Sequence, residues 1–215
     1  FKKRSIGIYS GSSQTDFQKK EMKICLFGGT FDPPHIGHLL IAQTICEEEQ
    51  FEKIIFIPSL NPPHKTKRII SPVNLRVEML KSAIESNPHF EISKIEIQRG
   101  GTSFTIDTIQ SYKKEFNIAR NEIYFLMGSD SLGEFHTWKD PQKILKECHV
   151  IVALRPGFKP SSIPNWILHN IQFANIPQFE VSSSTIRNRW KENKTIRYMV
   201  TQPVWEFINS HNLFF

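Results

Sequence analysis

Two histidines at the start of a helical pattern directly follow a glycine-rich turn. The segment comes after the apolar run 24–27 and reads Gly28-Gly29-Thr30-Phe31-Asp32-Pro33-Pro34-His35-Ile36-Gly37-His38. The two glycines allow a sharp turn after a buried strand and leave backbone N–H groups available. Backbone donors, a helix N-terminus and imidazoles are all groups that bind phosphate oxygens. The segment therefore predicts a nucleotide site.

The spacing of the two histidines supports this prediction. His35 and His38 are three positions apart, so their side chains can point the same way at the start of a helix. The alternative is that one histidine caps a turn and the other packs in the core. The intact stretch from Gly28 to Asp32 favours phosphate binding, and Asp32 itself is expected to brace the loop.

A second candidate phosphate clamp lies near the C-terminus, in Ser182-Ser183-Ser184-Thr185-Ile186-Arg187. A hydroxyl at a helix N-terminus caps the helix and can also donate to an anion. Arg187 follows Ser183 by four residues and therefore lies on the same helix face. In isolation such a run is more often only a cap, but the upstream motif favours a functional role.

Further motifs come in order between these two segments. They are Pro62-Pro63-His64-Lys65, Arg76-x-x-Met79-Leu80, Gly101-x-Ser103-Phe104-Thr105-Ile106-Asp107-Thr108, Gly128-Ser129-Asp130, Trp138 and Arg155-Pro156-Gly157. With Gly-Thr-Phe-Asp-Pro and His-x-Gly-His, the ordered set resembles the bacterial nicotinate-nucleotide adenylyltransferase family over roughly residues 22–213. The resemblance implies a Rossmann-like enzyme that joins ATP to nicotinate mononucleotide. Its products would be nicotinate adenine dinucleotide, on the way to NAD, and pyrophosphate.

The resemblance also implies a role for each matched position on the ATP side. His35, His38 and Arg187 are expected to act in catalysis by contacting ATP phosphates. The other expected ATP contacts are Gly28, Gly29, Thr30, Phe31, Asp130, Ser183 and Ser184. Ser184 stands where the family usually has threonine, which keeps the hydroxyl and loses the methyl group that fixes its rotamer.

The acceptor side depends on a different set of residues. Trp138 can stack on a nicotinate ring, and Thr105, with backbone N–H groups at a helix start, can receive the ring carboxylate. His64 and Lys65 are expected to bind phosphate, although an isolated Pro-Pro-His-Lys would more often be a solvated loop. Arg76 is a weaker candidate for the same role, since helix-surface arginines are usually solvated.

The implied reaction requires the protein mainly to align its two substrates. The attacking group is a phosphate monoester with a second pKa of about 6, so it needs neither a strong base nor a covalent nucleophile. Catalysis then depends on alignment and on stabilising the charge of the leaving group. We expect Mg²⁺ to arrive bound to substrate phosphates, with no metal site built from protein ligands.

The elements that must position these residues follow an alternating pattern. Strands are predicted at 23–27, 54–58, 123–127 and 150–154, with 91–97 as an edge or bent strand. Helices are predicted at 37–49, 72–85 with Ser71 as N-cap, 105–116, 141–147, 183–192 and 203–210. This alternation predicts an α/β fold, a doubly wound parallel sheet with helices on both faces and a small C-terminal helical part at 181–215. Ligands bind such folds at the carboxyl ends of the strands.

The formal charge of +6 is concentrated at the N-terminus. Residues 1–23 carry most of the excess, and both signs are interspersed along the rest of the chain. The folded part therefore lacks the dominant basic field of a nucleic-acid-binding protein. We expect residues 1–21 to be a flexible extension outside the fold, with Met22 as the native start and residues 22–215 as a single domain.

Cysteine usage and hydropathy define the compartment. Cys25, Cys46 and Cys148 show no paired metal spacing. Cys25 and Cys148 lie in or beside apolar runs and are expected to be small buried hydrophobes, which fits a reducing cytoplasm. No apolar run approaches the roughly 20 residues of a membrane span. No apolar segment follows the basic start, so a secretory signal is not expected. The sequence leaves open whether the protein forms a homo-oligomer.

Three other functions compete with this prediction. A sibling enzyme would transfer a nucleotidyl group to phosphopantetheine or nicotinamide mononucleotide, and His-x-Gly-His does not separate these acceptors. A nucleotide-binding regulator without turnover would be expected to lack a phosphate-clamp residue, yet each one is present. Only the N-terminal segment supports a nucleic-acid-binding protein.

Overall fold

Six strands form one parallel sheet, and its central strands carry runs of β-branched or aromatic residues that are buried on both faces. The computed structural model describes residues 23–63, 70–154, 157–158, 163–177 and 179–214. The strands are β1 Ile24–Gly29, β2 Lys53–Pro58, β3 Phe90–Ile92, β4 Ile123–Gly128, β5 His149–Ala153 and β6 Ile171–Ala174. Their order is β3-β2-β1-β4-β5-β6, and every neighbouring pair is parallel. The predicted doubly wound α/β fold is confirmed.

Helices connect the strands. They are α1 Ile36–Glu48, α2 Val73–Ile84, α3 Ile95–Arg99, α4 Thr105–Phe116, α5 Ser129–Leu132, α6 Pro141–Glu147, α7 Asn165–Leu168, α8 Ser183–Lys191 and α9 Gln202–Ser210. Short 3₁₀ turns lie at Arg120–Glu122 and Phe135–Thr137. Parallel strands require such crossover connections, and the helices cover the faces of the sheet.

Alternation along β1 divides the core between the two faces of the sheet. Ile24 and Leu26 face a cluster that includes residues of α4 and α6, while Cys25 and Phe27 face a cluster that includes residues of α1. A third cluster joins α8 and α9 to α2 and contains the buried side chains Met79, Ile186, Val204 and Ile208. The C-terminal helices therefore rest on α2, and through it on the sheet.

Two predicted boundaries are wrong. The strand predicted at 91–97 ends at Ile92, and Ile95–Arg99 is helical. The Ser93 hydroxyl accepts a hydrogen bond from the Ile95 N–H at 3.3 Å, which starts that helix and breaks the alternation. Ser71 does not cap α2, since Pro72 occupies the N-cap position and makes no side-chain capping bond.

Besides α3, the strand β6 and the short helices α5 and α7 were not predicted. β6 has four residues at the edge of the sheet, and Gln172 and Phe173 are exposed there, so its apolar pattern is weak. The short helix α7 precedes it. The remaining helices lie within a few residues of their predicted bounds. The predicted N-terminal extension and Met22 lie outside the described residues.

Cys25 and Cys148 are buried and free, as expected, and Cys46 is buried and free as well. Burial raises the pKa of the Cys25 thiol, and it raises the pKa of Cys148 to about 12. These thiols are therefore packed as protonated, unreactive groups. None of the helices in the described part of the chain is long and apolar enough to cross a membrane.

The buried face of α4 generates a stability prediction. Ile109 is fully buried, so Ile109→Ala should lower the free energy of unfolding by about 2–5 kcal/mol. The matched change Ile36→Ala removes a side chain that is 40% exposed and should cost about 1 kcal/mol or less. Urea denaturation of the two variants measures the difference. Equal losses would contradict the placement of the core.

Candidate active site

A cleft of about 250 Å³ opens at the carboxyl ends of β1 and β4. The strand order reverses between these two strands, which is where ligands bind in doubly wound sheets. Gly28, Gly29 and Thr30 line the cleft together with Thr105 and Trp138. The structure thus brings the predicted nucleotide loop and the predicted acceptor pocket to one cavity.

The loop after β1 is shaped by an aromatic ring beneath it. Phe31 has a positive φ of 49° and a fully buried ring that packs on Phe27 and Phe56. A Cβ at Gly29 would lie 2.6 Å from Cζ of Phe31, so glycine is required there for close approach rather than for turning. Because its ring is in the core, Phe31 offers only its backbone to a ligand.

His35 and His38 lie together, as the spacing predicted. Their ring centroids are 3.7 Å apart, with His35 at the N-cap of α1 and His38 in its first turn. The backbone N–H of His35 donates to Nδ1 of His38 at 3.2 Å. A neutral His38 ring therefore carries its proton on Nε2, where it is a hydrogen-bond donor. His38 also packs edge-on against Phe31, with ring centroids 5.0 Å apart.

Helix α8 docks its N-terminus onto this loop. Ser182 caps the helix by accepting from the Thr185 N–H at 3.1 Å. The Ser183 hydroxyl donates to the Pro33 carbonyl at 2.9 Å, and Arg187 donates from Nη1 to the Asp32 carbonyl. The two predicted phosphate-binding segments therefore meet, although about 150 residues separate them in sequence.

The remaining member of this predicted clamp contacts its own helix. Ser184 is exposed, and its hydroxyl accepts from Nη2 of Arg187 at 3.0 Å. The hydroxyl thus orients the guanidinium, which also contacts the loop after β1.

On the acceptor side, Thr105 is the first residue of α4 and Trp138 follows a 3₁₀ turn. The Trp138 ring is partly buried and packs on Phe125 and Phe135, with ring centroids 6.2 and 5.3 Å away. These contacts fix one edge of the indole while the residue lines the cleft.

Ser103 holds the acceptor side to the loop after β2, a role that the sequence did not suggest. Its hydroxyl accepts from the N–H groups of Leu60 and Asn61 at 2.9 and 3.2 Å. Its own N–H donates to the Asn61 carbonyl at 3.0 Å. The predicted motif 101–108 signalled a functional segment without showing this contact.

Lys139 was also not predicted. Its Nζ lies 2.9 Å from both carboxylate oxygens of Asp107 and 4.9 Å from the centroid of the Phe104 ring. Among the described residues that line the cleft, Lys139 is the only cation. The sequence signal that could have found Lys139 is its position directly after Trp138, a residue predicted to bind the acceptor.

A buried polar group forms the back of the cleft. Oε1 of Glu96 accepts from the Thr108 hydroxyl at 2.6 Å, and Arg99 donates to the same hydroxyl oxygen at 3.2 and 3.3 Å. Glu96 and Thr108 are both buried and both line the cleft. This group ties α3 to the first turns of α4, and thereby supports Thr105.

Arg76 corrects an expectation, because it is not a solvated arginine on the helix surface. It is 1% exposed and donates only to backbone carbonyls in the contacts described below. Burial lowers the pKa of its guanidinium, while the nearby carboxylates of Asp32 and Glu96 raise it. The expectation that Asp32 braces the loop is supported, since Asp32 is buried and its Oδ2 accepts from the Ser71 N–H at 3.4 Å.

Several predicted site residues do not line the cleft in the described part of the chain. The histidine pair and the C-terminal clamp meet at the loop after β1 instead, and the described residues outside the lining are Phe31, His35, His38, Asp130, Ser183, Ser184 and Arg187. Asp130 is exposed in the first turn of α5, one residue before Ser131, which lines the cleft. His64 and Lys65 lie outside the described residues, so their predicted roles remain predictions.

The fold and this cavity define the class of protein. A parallel sheet with a glycine-bearing loop and a histidine-capped helix at its switch point is a nucleotide-binding α/β domain. The model of the family described as cytidylyltransferase-like matches residues 26–189 of the chain.

Sequence relatives narrow the class. A protein of Moorella thermoacetica is 39% identical over 199 residues, covering 89% of this chain and 91% of the relative. A protein of Desulfitobacterium hafniense is 40% identical over 200 residues, covering 89% and 95%. Both bear the name "Probable nicotinate-nucleotide adenylyltransferase". The chain belongs to the cytidylyltransferase-like family and, within it, to the nicotinate-nucleotide adenylyltransferases.

The fold has a solved counterpart. The nicotinic acid mononucleotide adenylyltransferase of Plasmodium falciparum, complexed with NaAD, superposes with a TM-score of 0.74 at 21% identity. The match covers 89% of this chain and 97% of that chain. At this identity the likeness concerns the fold.

The close approach at Gly37 predicts the effect of adding a methyl group. An Ala Cβ there would lie 2.4 Å from Cε2 of Phe179 and 2.9 Å from Nδ1 of His35. Helix propensity alone would make Gly37→Ala stabilising by about 1 kcal/mol. We expect instead a loss of both stability and turnover, because the His35 ring must move. Thermal denaturation and an adenylyl-transfer assay measure the two effects.

Gly133→Ala is the matched control, since its Cβ would meet only the Asp130 carbonyl oxygen, at 3.8 Å. A stabilised, fully active Gly37→Ala enzyme would contradict the described packing around His35.

Proposed function

We propose that the chain transfers the adenylyl group of ATP to nicotinate mononucleotide, with nicotinate adenine dinucleotide and pyrophosphate as products. The observation that carries this proposal is one cleft that is lined both by the nucleotide loop and by Thr105 and Trp138. The names of the relatives and the NaAD complex of the structural neighbour support the same reaction.

The chemistry we propose is one in-line displacement at the α-phosphorus of ATP. An oxygen of the acceptor phosphate forms the new P–O bond while the bond to the α–β bridging oxygen breaks. The electron pair and its negative charge leave with pyrophosphate. At neutral pH the acceptor phosphate is already largely dianionic, so no protein base has to remove a proton and no covalent enzyme intermediate is needed.

On the ATP side, the proposal assigns charge stabilisation to His35, His38 and Arg187. The bond from His35 to Nδ1 of His38 places the His38 proton on Nε2, which suits donation to a phosphate oxygen. Arg187 reaches the same loop from α8. These groups would bind more strongly as charge develops on the leaving pyrophosphate, which is the condition for lowering the barrier.

The backbone of the loop at Gly28, Gly29, Thr30 and Phe31 would bind the nucleotide next to these side chains. Ser183 and Ser184 would complete the phosphate clamp, and Asp130 would accept from the ribose hydroxyls. Mg²⁺ would enter with ATP and be held by phosphate oxygens and water. Among the described residues no group of three His, Cys, Asp or Glu side chains that could hold a metal ion occurs.

On the acceptor side, the indole of Trp138 would stack on the nicotinate ring, and the N-terminus of α4 at Thr105 would receive its carboxylate. Lys139 would add a positive charge to this side of the cleft. His64 and Lys65 would bind the acceptor phosphate. We place the reaction in the cytoplasm, where the three free cysteines would stay reduced.

The acceptor is tested by pyrophosphate release from ATP and Mg²⁺ with one of three compounds supplied at a time. We expect turnover with nicotinate mononucleotide to exceed that with nicotinamide mononucleotide or phosphopantetheine, because only the first carries a ring carboxylate. Preference for another acceptor would overturn the assignment of the pocket. Silence with all three, in a protein that still binds ATP, would favour a binding-only regulator.

The role of His38 is tested by His38→Ala. If His38 acts on the transition state, kcat should fall by about 100-fold or more, while the Kd for ATP changes far less. Steady-state kinetics and calorimetric titration with ATP give the two values. His169→Ala, at an exposed histidine outside the cleft, is the control. Equal losses in kcat and affinity would instead indicate simple ground-state binding.

A further inference from the structure

The fully buried Arg76 connects three separate segments at the carboxyl edge of the sheet. Nη1 donates to the Thr30 carbonyl at 2.8 Å, Nη2 to the Ser59 carbonyl at 2.8 Å, and Nε to the Ser71 carbonyl at 2.9 Å. Thr30 follows β1, Ser59 follows β2, and Ser71 precedes α2, which carries Arg76 itself. One planar group therefore contacts three chain segments, and it adds to the backbone bond by which the Ser59 N–H donates to the Gly29 carbonyl at 2.9 Å.

Two of these segments line the cleft and lead to different predicted substrate residues. Thr30 is part of the proposed nucleotide loop. Ser59 begins the loop that continues through Leu60 and Asn61, whose N–H groups donate to the hydroxyl of Ser103. Ser103 stands two residues before Thr105, so Arg76 contacts the nucleotide loop directly and reaches the proposed acceptor pocket through the loop after β2.

The third segment extends the connection to the C-terminal clamp. The Ser71 carbonyl accepts from Arg76, and the Ser71 N–H donates to the carboxylate of Asp32. The Asp32 carbonyl in turn accepts from Arg187 of α8. The Arg76 guanidinium thus lies at the centre of a set of hydrogen bonds that joins the loop after β1, the loop after β2, the segment before α2 and Arg187 of α8.

An arginine rather than an apolar residue at the buried position 76 is difficult to explain by the free energy of unfolding alone. Burying a guanidinium costs several kcal/mol of desolvation, and well-packed apolar side chains often give an equal or better free energy of unfolding. An arginine does what an apolar residue cannot, since its rigid fork presents donors at fixed angles. Here that fork holds carbonyls that would otherwise lose their buried partners.

We propose that Arg76 is a positioning residue that fixes the distance between the two substrate sites, so that the acceptor phosphate lies in line with the α-phosphate of ATP. The inference rests on the proposed transfer reaction, in which alignment supplies most of the catalysis. Arg76 acts through Thr30 and Ser59 and does not itself touch substrate.

The test compares Arg76→Lys and Arg76→Gln with the wild type. Neither replacement can reach three carbonyls at once, so we expect kcat per folded molecule to fall by about 100-fold. The KM for each substrate should change less than about threefold, because each half of the site stays intact. Single-turnover measurements at saturating substrates separate this effect from product release.

Ile84→Ala is the control for simple destabilisation. Ile84 is buried near the far end of the same helix, so its truncation should lower the free energy of unfolding without moving the cleft. Its kcat per folded molecule should equal that of the wild type. If Arg76→Lys keeps kcat within about threefold of the wild type, or if Ile84→Ala loses kcat to the same extent, Arg76 is only structural.

A second measurement separates this inference from the proposed reaction. Amide hydrogen exchange in Arg76→Lys should become faster in residues 28–32 and 59–61 together, whereas in Ile84→Ala these segments should keep the wild-type rates. Unchanged exchange in either segment of Arg76→Lys would overturn the positioning role. If the wild type prefers another acceptor, the proposed substrate fails, and the kinetic comparison is made with that acceptor.

Discussion

The site depends on how one short loop is held by its carbonyl oxygens. Thr30, Asp32 and Pro33 each accept a hydrogen bond from a side chain of a distant helix, namely Arg76, Arg187 and Ser183. Beneath the loop, the ring of Phe31 fills the core and excludes any side chain at Gly29. Because the carbonyls are occupied in this way, the conformation of the loop is fixed before any ligand binds. A rigid loop is what a reaction governed by alignment requires.

The acceptor side is built on the same physical basis. Ser103 fastens the start of α4 to the loop after β2, and the Glu96–Thr108 bond fastens α4 to α3. Both contacts lie within the motif that the family resemblance selects, yet neither involves the residues expected to touch substrate. The motif therefore contains residues that shape the pocket as well as those that line it.

Much of the architecture was predictable, because apolar runs indicate the buried strands, and capping residues and apolar periodicity indicate the helices. Thr105–Phe116 and Pro141–Glu147 begin and end at their predicted residues. The failures have local causes. Ser93 starts a helix where the alternation of isoleucines indicated a strand, and the edge strand β6 is too short and too exposed to give a clear pattern.

The proximity of His35 and His38 was predictable from their spacing, whereas their roles and that of Arg187 in phosphate binding stay predictions. The role of a residue was not predictable where a common residue type lies in an unusual environment. Nothing in the local sequence distinguishes Arg76 from a solvated arginine, because its burial depends on three segments distant in the chain. Lys139 and Asp107 likewise meet only in the folded protein. Such contacts are properties of tertiary packing rather than of any window of sequence.

The docking of α8 on the loop after β1 has a consequence for the order in which the protein is made. All six strands of the sheet lie before residue 175, and the loop after β1 is made about 150 residues before α8. A nascent chain that contains the strands but not α8 still lacks Ser183 and Arg187, so its nucleotide loop has no side-chain donors from α8 at the carbonyls of Asp32 and Pro33. Formation of this clamp thus follows synthesis of the whole sheet.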